Sequence, residues 1–543
     1  MTTSRLPVTK LLSVLLAVVL AVIGLALAPA PPAEAHAALS LSEPADGGMV
    51  ATAPAAARLT FSEPVAPLLL RLLGPDGATQ ELSGASLEGD TLVVPLPPVT
   101  AEGTYVLSYR VASQDGHPVG GALVYAVGDA PPDRSAARVP PPSDPAREAA
   151  VWASRAALTV GVLFGIGGAL FLAFASGPPL PSARRVVGSA LGLATVAAPF
   201  AVALQGLDAL GLPLSALPQG AMLAAGLASP YTLTVGGALL AAGLAAVSLA
   251  APSLVMRRLT GLIALAVLAF AVSLSGHASS APPEAITHRA VSVHVAAAAV
   301  WVGALVPLAL MLAARASETA TRALASFSRI VPWAVAALAL TGGFLAAVQV
   351  RDPAALWTTD YGRVLLAKLA LVAAMLVLAA VNRWRLTQPA LAGDATARRR
   401  LVRVIAVEAV LAVAVVGTLA LWRFTPPPRA LAAAAAAPAE VHIHTDAGMA
   451  TLTLTPGRAG PLAVEIALPT ADFGALPAKE VRVTFANAAA GIEPIRRPAT
   501  ETEGVWRIDG LTLPVAGVWT VRLDVLISDF ETLRLDGTVT LAP

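Results

Sequence analysis

Residues 150–175 read AVWASRAALTVGVLFGIGGALFLAFA, and Arg155 is the only charge in the run. A helix needs roughly 20 mostly apolar residues to cross the hydrocarbon of a bilayer. This run is long enough, and it recurs. Between Trp152 and Trp422 eight spanning segments are expected, at about 150–175, 187–210, 231–252, 259–276, 289–313, 327–349, 362–383 and 401–424. Backbone groups in hydrocarbon must find partners within their own segment, so each run is read as a helix. The composition agrees: 56% hydrophobic residues, 13% charged, mean hydropathy +0.73. A net charge of +2 offers no basis for nucleic-acid binding. With no cysteine, disulfides, thiolate zinc sites and cysteine nucleophiles are excluded. No Gly-x4-Gly-Lys-Ser/Thr loop occurs, so ATP-driven pumping by this chain is not expected.

The flanks are of another kind. Residues 1–35 read as a secretory signal, with Arg5 and Lys10, an apolar stretch from Leu11 to Leu27, and the small-x-small site Ala33-Glu34-Ala35. Cleavage after Ala35 would make His36 the first residue, joining a free amine to an imidazole. Residues 36–129 carry short β-prone runs between Gly, Pro and Asp turns, the pattern of a small β-sandwich. A Pro-rich linker over 130–147 leads to the membrane domain, 148–425. A second linker, 426–439, leads to renewed β patterning over 440–543. The expected fold is an α-helical polytopic membrane bundle of about eight transmembrane helices, flanked by two extracytoplasmic all-β sandwich domains.

Orientation follows from Lys and Arg in the short loops. Arg184 and Arg185, Arg257 and Arg258, then Arg315, Arg322 and Arg329, then Arg383, Arg385, Arg398, Arg399, Arg400 and Arg403 occupy every second loop. Those loops are expected to face the cytoplasm, in the inner membrane of a bacterium. Both β domains then lie outside, and the seven histidines fall on or near that side. His277, His288 and His294 are the membrane members, and His294 is the deepest. Intramembrane ionisable groups are costly enough to suggest function, although helix caps and interfacial packing account equally for His277 and His288. His442 and His444 stand two apart, so a strand puts both on one face, with Met449 close in sequence.

Three motifs carry a resemblance. His36-Ala-Ala-Leu-Ser-Leu-Ser-Glu-Pro-Ala-Asp-Gly-Gly opens the first β domain, Leu59-Thr-Phe-Ser-Glu-Pro-Val65 follows, and Gly103-Thr-Tyr-Val-Leu-Ser-Tyr-Arg-Val-Ala-Ser-Gln-Asp-Gly-His-Pro-Val-Gly-Gly121 closes it. The domain resembles the CopC family of periplasmic copper-binding proteins. The resemblance implies a Cu(II) site with His36 giving its amine and a ring nitrogen, His117 a second imidazole, and Asp115 a further ligand or close partner. Glu63 matches an acidic position in some members. Nitrogen donors with carboxylate suit Cu(II). Some CopC proteins also carry a methionine-rich Cu(I) site, whereas Met49 is the one methionine of this domain, so a single Cu(II) site is expected.

In the membrane segment, Ser275-Gly-His-Ala278, Val293-His-Val-Ala-Ala-Ala-Ala-Val-Trp-Val-Gly303, and Tyr361-Gly-Arg-Val-Leu-Leu-Ala-Lys-Leu369 with Asn382-Arg383 resemble the CopD family. CopD proteins are associated with copper moving across the inner membrane. His277 and His294 are the candidates for a membrane copper pathway. The second β domain resembles YtkA-like domains, and His442 with His444 is its candidate metal site. Of the two charges deep in helices, Lys368 is expected to reach outward, and Glu408 to pair with an inner arginine such as Arg403 in preference to binding a proton or cation. The two are not expected to pair with each other.

The leading expectation is a non-enzymatic protein that captures Cu(II) outside the membrane and takes part in copper import, resistance and homeostasis. Its partners are copper ions, the bilayer and other periplasmic copper proteins. The alternatives are a copper-dependent redox enzyme, a haem electron-transfer protein using His277 and His294, and a sensor or store that transports nothing.

Overall fold

The computed structural model describes residues 39–542 apart from 45, 62–63, 99–100, 114–117, 129–143, 176–179, 277–280, 315–316, 437, 446–447, 470–475, 503 and 529–530. The expected signal sequence lies outside the described residues. Among the described residues, eight helices are long and apolar enough to cross a membrane. The bundle helices are α1 Pro145–Phe174, α2 Pro181–Leu210, a short α3 Gly220–Ala228, α4 Tyr231–Ala250, α5 Leu254–Ser273, α6 Glu284–Ala313, α7 Glu318–Val350, α8 Asp360–Val381 and α9 Ala395–Leu421. Beyond Val381, α8 continues through a π turn, Asn382–Leu386, into Thr387–Leu391.

Several helices begin earlier than the apolar runs, because polar first turns are capped. Asp144 accepts hydrogen bonds from the Ala146 and Arg147 amides ahead of α1, with Pro145 at the first helical position. The first helix therefore starts inside the stretch read as linker. Ser317 caps α7, Thr359 caps α8 and Asp394 caps α9 in the same way. The stretch read as a second linker contains a short helix, α10 Pro428–Ala436.

Small residues let the helices approach. A Cβ on Gly303 of α6 would lie 2.5 Å from Gly167 Cα and 2.6 Å from Leu163 O of α1. The two glycines face each other at the α1–α6 crossing, the small-residue contact of membrane helices. Outward-facing positions are apolar: Leu233, Phe270, Trp333, Leu340 and Val410 are all exposed, as a lipid-facing surface requires.

The first β domain is a two-sheet sandwich, with orders β1-β3-β7-β6 and β2-β9-β8-β4-β5. The strands are β1 Leu39–Glu43, β2 Met49–Val50, β3 Ala56–Phe61, β4 Ala66–Leu73, β5 Thr79–Glu81, β6 Ser86–Glu88, β7 Thr91–Pro95, β8 Gly103–Ala112 and β9 Pro118–Val127. Alternation places Ala57, Leu59 and Phe61 of β3 inward, against Leu107, Val111, Leu123 and Tyr125 of the other sheet. The Tyr109 ring packs edge-on against Phe61 at 5.6 Å, and a Cβ on its register partner Gly121 would meet that ring.

The second β domain has eight strands in the order β10-β11-β12-β15-β14-β13-β16-β17. They are β10 Ala439–Thr445, β11 Gly448–Thr455, β12 Gly460–Ala467, β13 Glu480–Asn487, β14 Ile492–Thr502, β15 Val505–Leu513, β16 Gly517–Ser528 and β17 Glu531–Leu541. Strand β14 pairs with β13 along its first part and with β15 at its end, so it joins two layers. Trp519, Phe485, Leu452 and Leu535 fill the core between them. The architecture is thus a membrane bundle with a β-sandwich before it and a β domain after it in the chain.

Two expectations test these contacts. Gly303→Ala forces α1 and α6 apart and lowers the stability of the detergent-solubilised chain by about 1–3 kcal/mol. Gly188→Ala, where a Cβ meets nothing within 4 Å, leaves it unchanged in the same melt. Burial pushes the Tyr109 and Tyr125 phenols up to about 12. Their contribution to stability is complete below the unfolded value of about 10 and is lost as pH rises from about 10 to 12. Denaturant titrations of the full chain should show that alkaline loss, and Tyr125→Phe should reduce it.

Candidate functional site

In the first β domain, register decides which chain ends meet. Leu39 of β1 pairs with Phe61 of β3, and Ala66 of β4 pairs with Ala112 of β8, itself opposite Pro118 of β9. Phe61 and Ala66 are joined by only four residues. The strand ends that lead to residues 36–38, to 62–63 and to 114–117 therefore lie at one end of the sandwich. His36, Glu63, Asp115 and His117 themselves lie outside the described residues.

In the bundle, His294 stands about 15 Å along α6 from Glu284, and Thr341 about 14 Å along α7 from Val350. These depths match, and the imidazole Nδ1 lies 3.0 Å from Thr341 Oγ1. The Thr341 hydroxyl donates to Ala337 O at 2.6 Å, one turn earlier. With that bond made, Oγ1 is placed to accept from Nδ1–H when the ring carries its proton there. The other ring nitrogen, Nε2, is then left with its lone pair, the form in which histidine binds a metal. Gly342 gives the ring space: a Cβ there would lie 3.2 Å from His294 Cε1.

Lys368 is close enough to His294 for a Coulombic interaction. Its ammonium lies 4.6 Å from the Trp422 ring, which stacks on Tyr361 at 5.0 Å. The aromatic face holds a charge that cannot reach water easily. Lys368 thus reaches toward the end of the bundle where α8 begins. Glu408 lies 14 residues before Trp422 on α9, and Asn382 lies 14 residues after Lys368 on the α8 segment. At about 1.5 Å per residue the two contacts are ~21 Å apart along antiparallel helices. Lys368 and Glu408 do not pair. The expected Glu408–Arg403 pair is not formed either: Asn382 Nδ2 donates to Glu408 Oε1 at 3.1 Å, and Arg403 is exposed.

His277 lies outside the described residues, and the turn before it is ordered by two features. Ser275 bonds Thr234 of α4 at 2.7 Å, and Gly276 has φ 100°, which favours glycine. His288 is half-buried near the start of α6, and its carbonyl accepts from Ser292 Oγ. On β10, His442 is opposite Thr451 and His444 opposite Met449, alternating with the buried Val441 and Ile443. Among the described residues no group of three or more His, Cys, Asp or Glu is placed to hold a metal ion.

Comparison with known proteins decides the family. Residues 39–128 match the CopC domain, and residues 321–422 match copper resistance protein D. Copper resistance protein C of Xanthomonas campestris pv. juglandis is 33% identical over 103 residues, which span 80% of that protein and 17% of this chain. The chain belongs to the CopC copper resistance proteins and carries a CopD domain in the same chain. Copper transport protein CutJ of Bacillus subtilis is 24% identical over 551 residues, covering 93% of this chain and 96% of that one. Among solved structures, CopC from Methylosinus trichosporium OB3b is 30% identical over 17% of this chain and 93% of its own, with a TM-score of 0.16. PcoC from Escherichia coli, titled a methionine-rich copper resistance protein, is 24% identical over 17% of this chain and 99% of its own, with a TM-score of 0.15. A copper-related function and copper ions as the ligand of the CopC domain follow from the family, as does a multi-pass membrane protein.

The CopD match supplies Thr341, Lys368, Asn382, Glu408 and Trp422, while His294 comes from the preceding helix. Its motif residues have separate tasks. Gly362 lets the Ala355–Thr358 turn pack on α8, since a Cβ would lie 2.1 Å from Ala355 O. Arg363 pairs with Asp360 at 2.8 Å, and Arg383 bonds Ser328.

One cluster was not legible in the sequence. Asp208 of α2 holds Arg147 of α1 at 3.3 Å and Arg423, just past α9, at 2.6 Å, all largely buried. Nearby, Arg155 bonds Gln205 at 2.7 Å and covers the Tyr231 ring at 4.1 Å. Arg147 falls in the stretch read as linker, Asp208 lies 61 residues after it, and Arg423 a further 215. The cluster ties three helices together at the end of the bundle nearer His294. Asp208→Asn leaves two buried guanidiniums without their carboxylate and should cost about 3–5 kcal/mol, read as a lowered melting temperature of the solubilised chain.

Proposed function

We propose that this protein captures Cu(II) at the CopC domain outside the cytoplasmic membrane and carries copper inward through the bundle. The observation that carries the reading is that a CopC domain and a CopD membrane domain share one chain, with His294 held by Thr341 in the bundle. His36, His117 and Asp115 would hold Cu(II), with the strand ends that lead to them converging at one end of the sandwich. Met49, the only methionine of that domain, is 57% exposed, which disfavours a thioether Cu(I) site.

His294 would offer Nε2 to a passing copper ion, with His277 on the same pathway. The ammonium of Lys368, within Coulombic reach of that imidazole, opposes long residence of a cation. That suits a conduit, where binding must be weak enough for release. The chain acts as a carrier and not as a catalyst, and His442 with His444 would be an accessory site.

The orientation is supported by the loop arginines. Those at the Arg383 end sit in helix ends that flank short loops, as cytoplasmic bases do. At the other end Arg147 and Arg423 are tied to Asp208.

Cell copper measured by mass spectrometry, at limiting and excess copper, tests the reading. Cells carrying the intact chain should hold more copper than cells without it. The His36/His117→Ala and His294→Ala variants should each remove the difference. Lower copper with the intact chain would reverse the direction, and equal copper would refute transport.

A further inference from the structure

Glu408 is 2% exposed in the middle of α9, and Asn382 is 8% exposed at the start of the π turn. Asn382 Nδ2 donates to Glu408 Oε1 at 3.1 Å, yet Asn382 Oδ1 is buried with no hydrogen-bond partner. A buried acceptor left in that state is costly.

No described charge faces the pair. On the π turn, Arg383 bonds Ser328 and Arg385 is exposed. On α9 itself, Arg399, Arg400 and Arg403 are exposed, Arg398 is in the first turn, and Arg423, just past it, is held by Asp208. Glu284, His288, Arg289 and His294 of α6, Arg147, Glu148 and Arg155 of α1, and Asp360, Tyr361, Arg363 and Lys368 of α8 belong to the opposite end of the bundle.

A carboxylic acid and a primary amide close a ring of two hydrogen bonds. One bond of that ring, Nδ2–H to Oε1, is in place. The second needs a proton on Oε2, and it would satisfy the orphaned Oδ1. The π turn that presents Asn382 is itself stabilised, because Thr387 Oγ1 donates to Asn382 O at 2.8 Å. Such turns recur at functional sites.

We propose that Glu408 and Asn382 form a proton-holding acid–amide pair, and that copper passage through the bundle is coupled to loading and release of this proton. On release the Oε2–H bond breaks and the proton passes to water at the Arg383 end. The carboxylate keeps the Asn382 Nδ2–H bond. Loading reverses the step. The coupling rests on the copper-carrier reading; the proton-holding pair does not.

Two readouts on the full chain separate them. Infrared difference spectra in membranes should show a carboxylic-acid C=O band that shifts in deuterated water and disappears in Glu408→Gln. The Gln side chain can close the same ring, so the variant folds. Asn382→Ala should move the band to higher frequency, as loss of its hydrogen bond requires. If no such band is lost in Glu408→Gln anywhere between about pH 5 and 9, the pair is refuted. In sealed vesicles with a lumenal pH dye, adding copper(II) chloride with ascorbate should change lumenal pH with the wild type, and at least about ten-fold less with Glu408→Gln. An equal change in both overturns the coupling. Wild-type vesicles that move no copper overturn the coupling and the carrier reading together, leaving the infrared band to decide the pair.

Discussion

A polar group inside hydrocarbon must find its partner within the protein, and this constraint organises the bundle. Four arrangements meet it. Asp208 gathers Arg147 and Arg423, Thr341 bonds the His294 ring, Trp422 covers Lys368, and Asn382 serves Glu408. Two of the four join α8 to α9, at equal separations along antiparallel helices. The polar contacts therefore hold the helices in register, while close approach at Gly167 and Gly303 supplies packing.

The eight spans were legible because hydropathy and length suffice for a membrane helix. Their starts were not, because the first turns of α2 and α7 carry Arg184, Arg185, Glu318 and Arg322, residues that an apolar count discards. The β domains were legible from alternation, as β3 and β16 show. The pairings were not. Arg403 is nearer in sequence to Glu408 than Asn382 is, but five residues along a helix is more than one full turn, and Arg403 faces outward. Asp208 drew no notice because its arginines come from opposite ends of the membrane domain. The candidate copper ligands were named through family resemblance together with the position of His36, and spacing alone would have read Asp115-Gly116-His117 as a turn.

Two layers of chemistry lie along the bundle. Near one end, the His294 imidazole lies within Coulombic reach of the Lys368 ammonium. About 21 Å away, an acid–amide pair stands apart from every described charge. In the proposed account, copper delivered from the CopC domain meets the first layer and proton movement belongs to the second. The segment that matches copper resistance protein D supplies Lys368 of the first layer and both residues of the second, and His294 comes from the helix before it.

The most direct test is copper entry itself. The purified full chain, reconstituted in sealed vesicles, would be given radioactive copper outside, with and without ascorbate, and lumenal copper counted after washing with an impermeant chelator. The account predicts accumulation above protein-free vesicles, removed by His294→Ala. Accumulation no greater than in protein-free vesicles, or equal accumulation in that variant, would contradict passage through the bundle at His294.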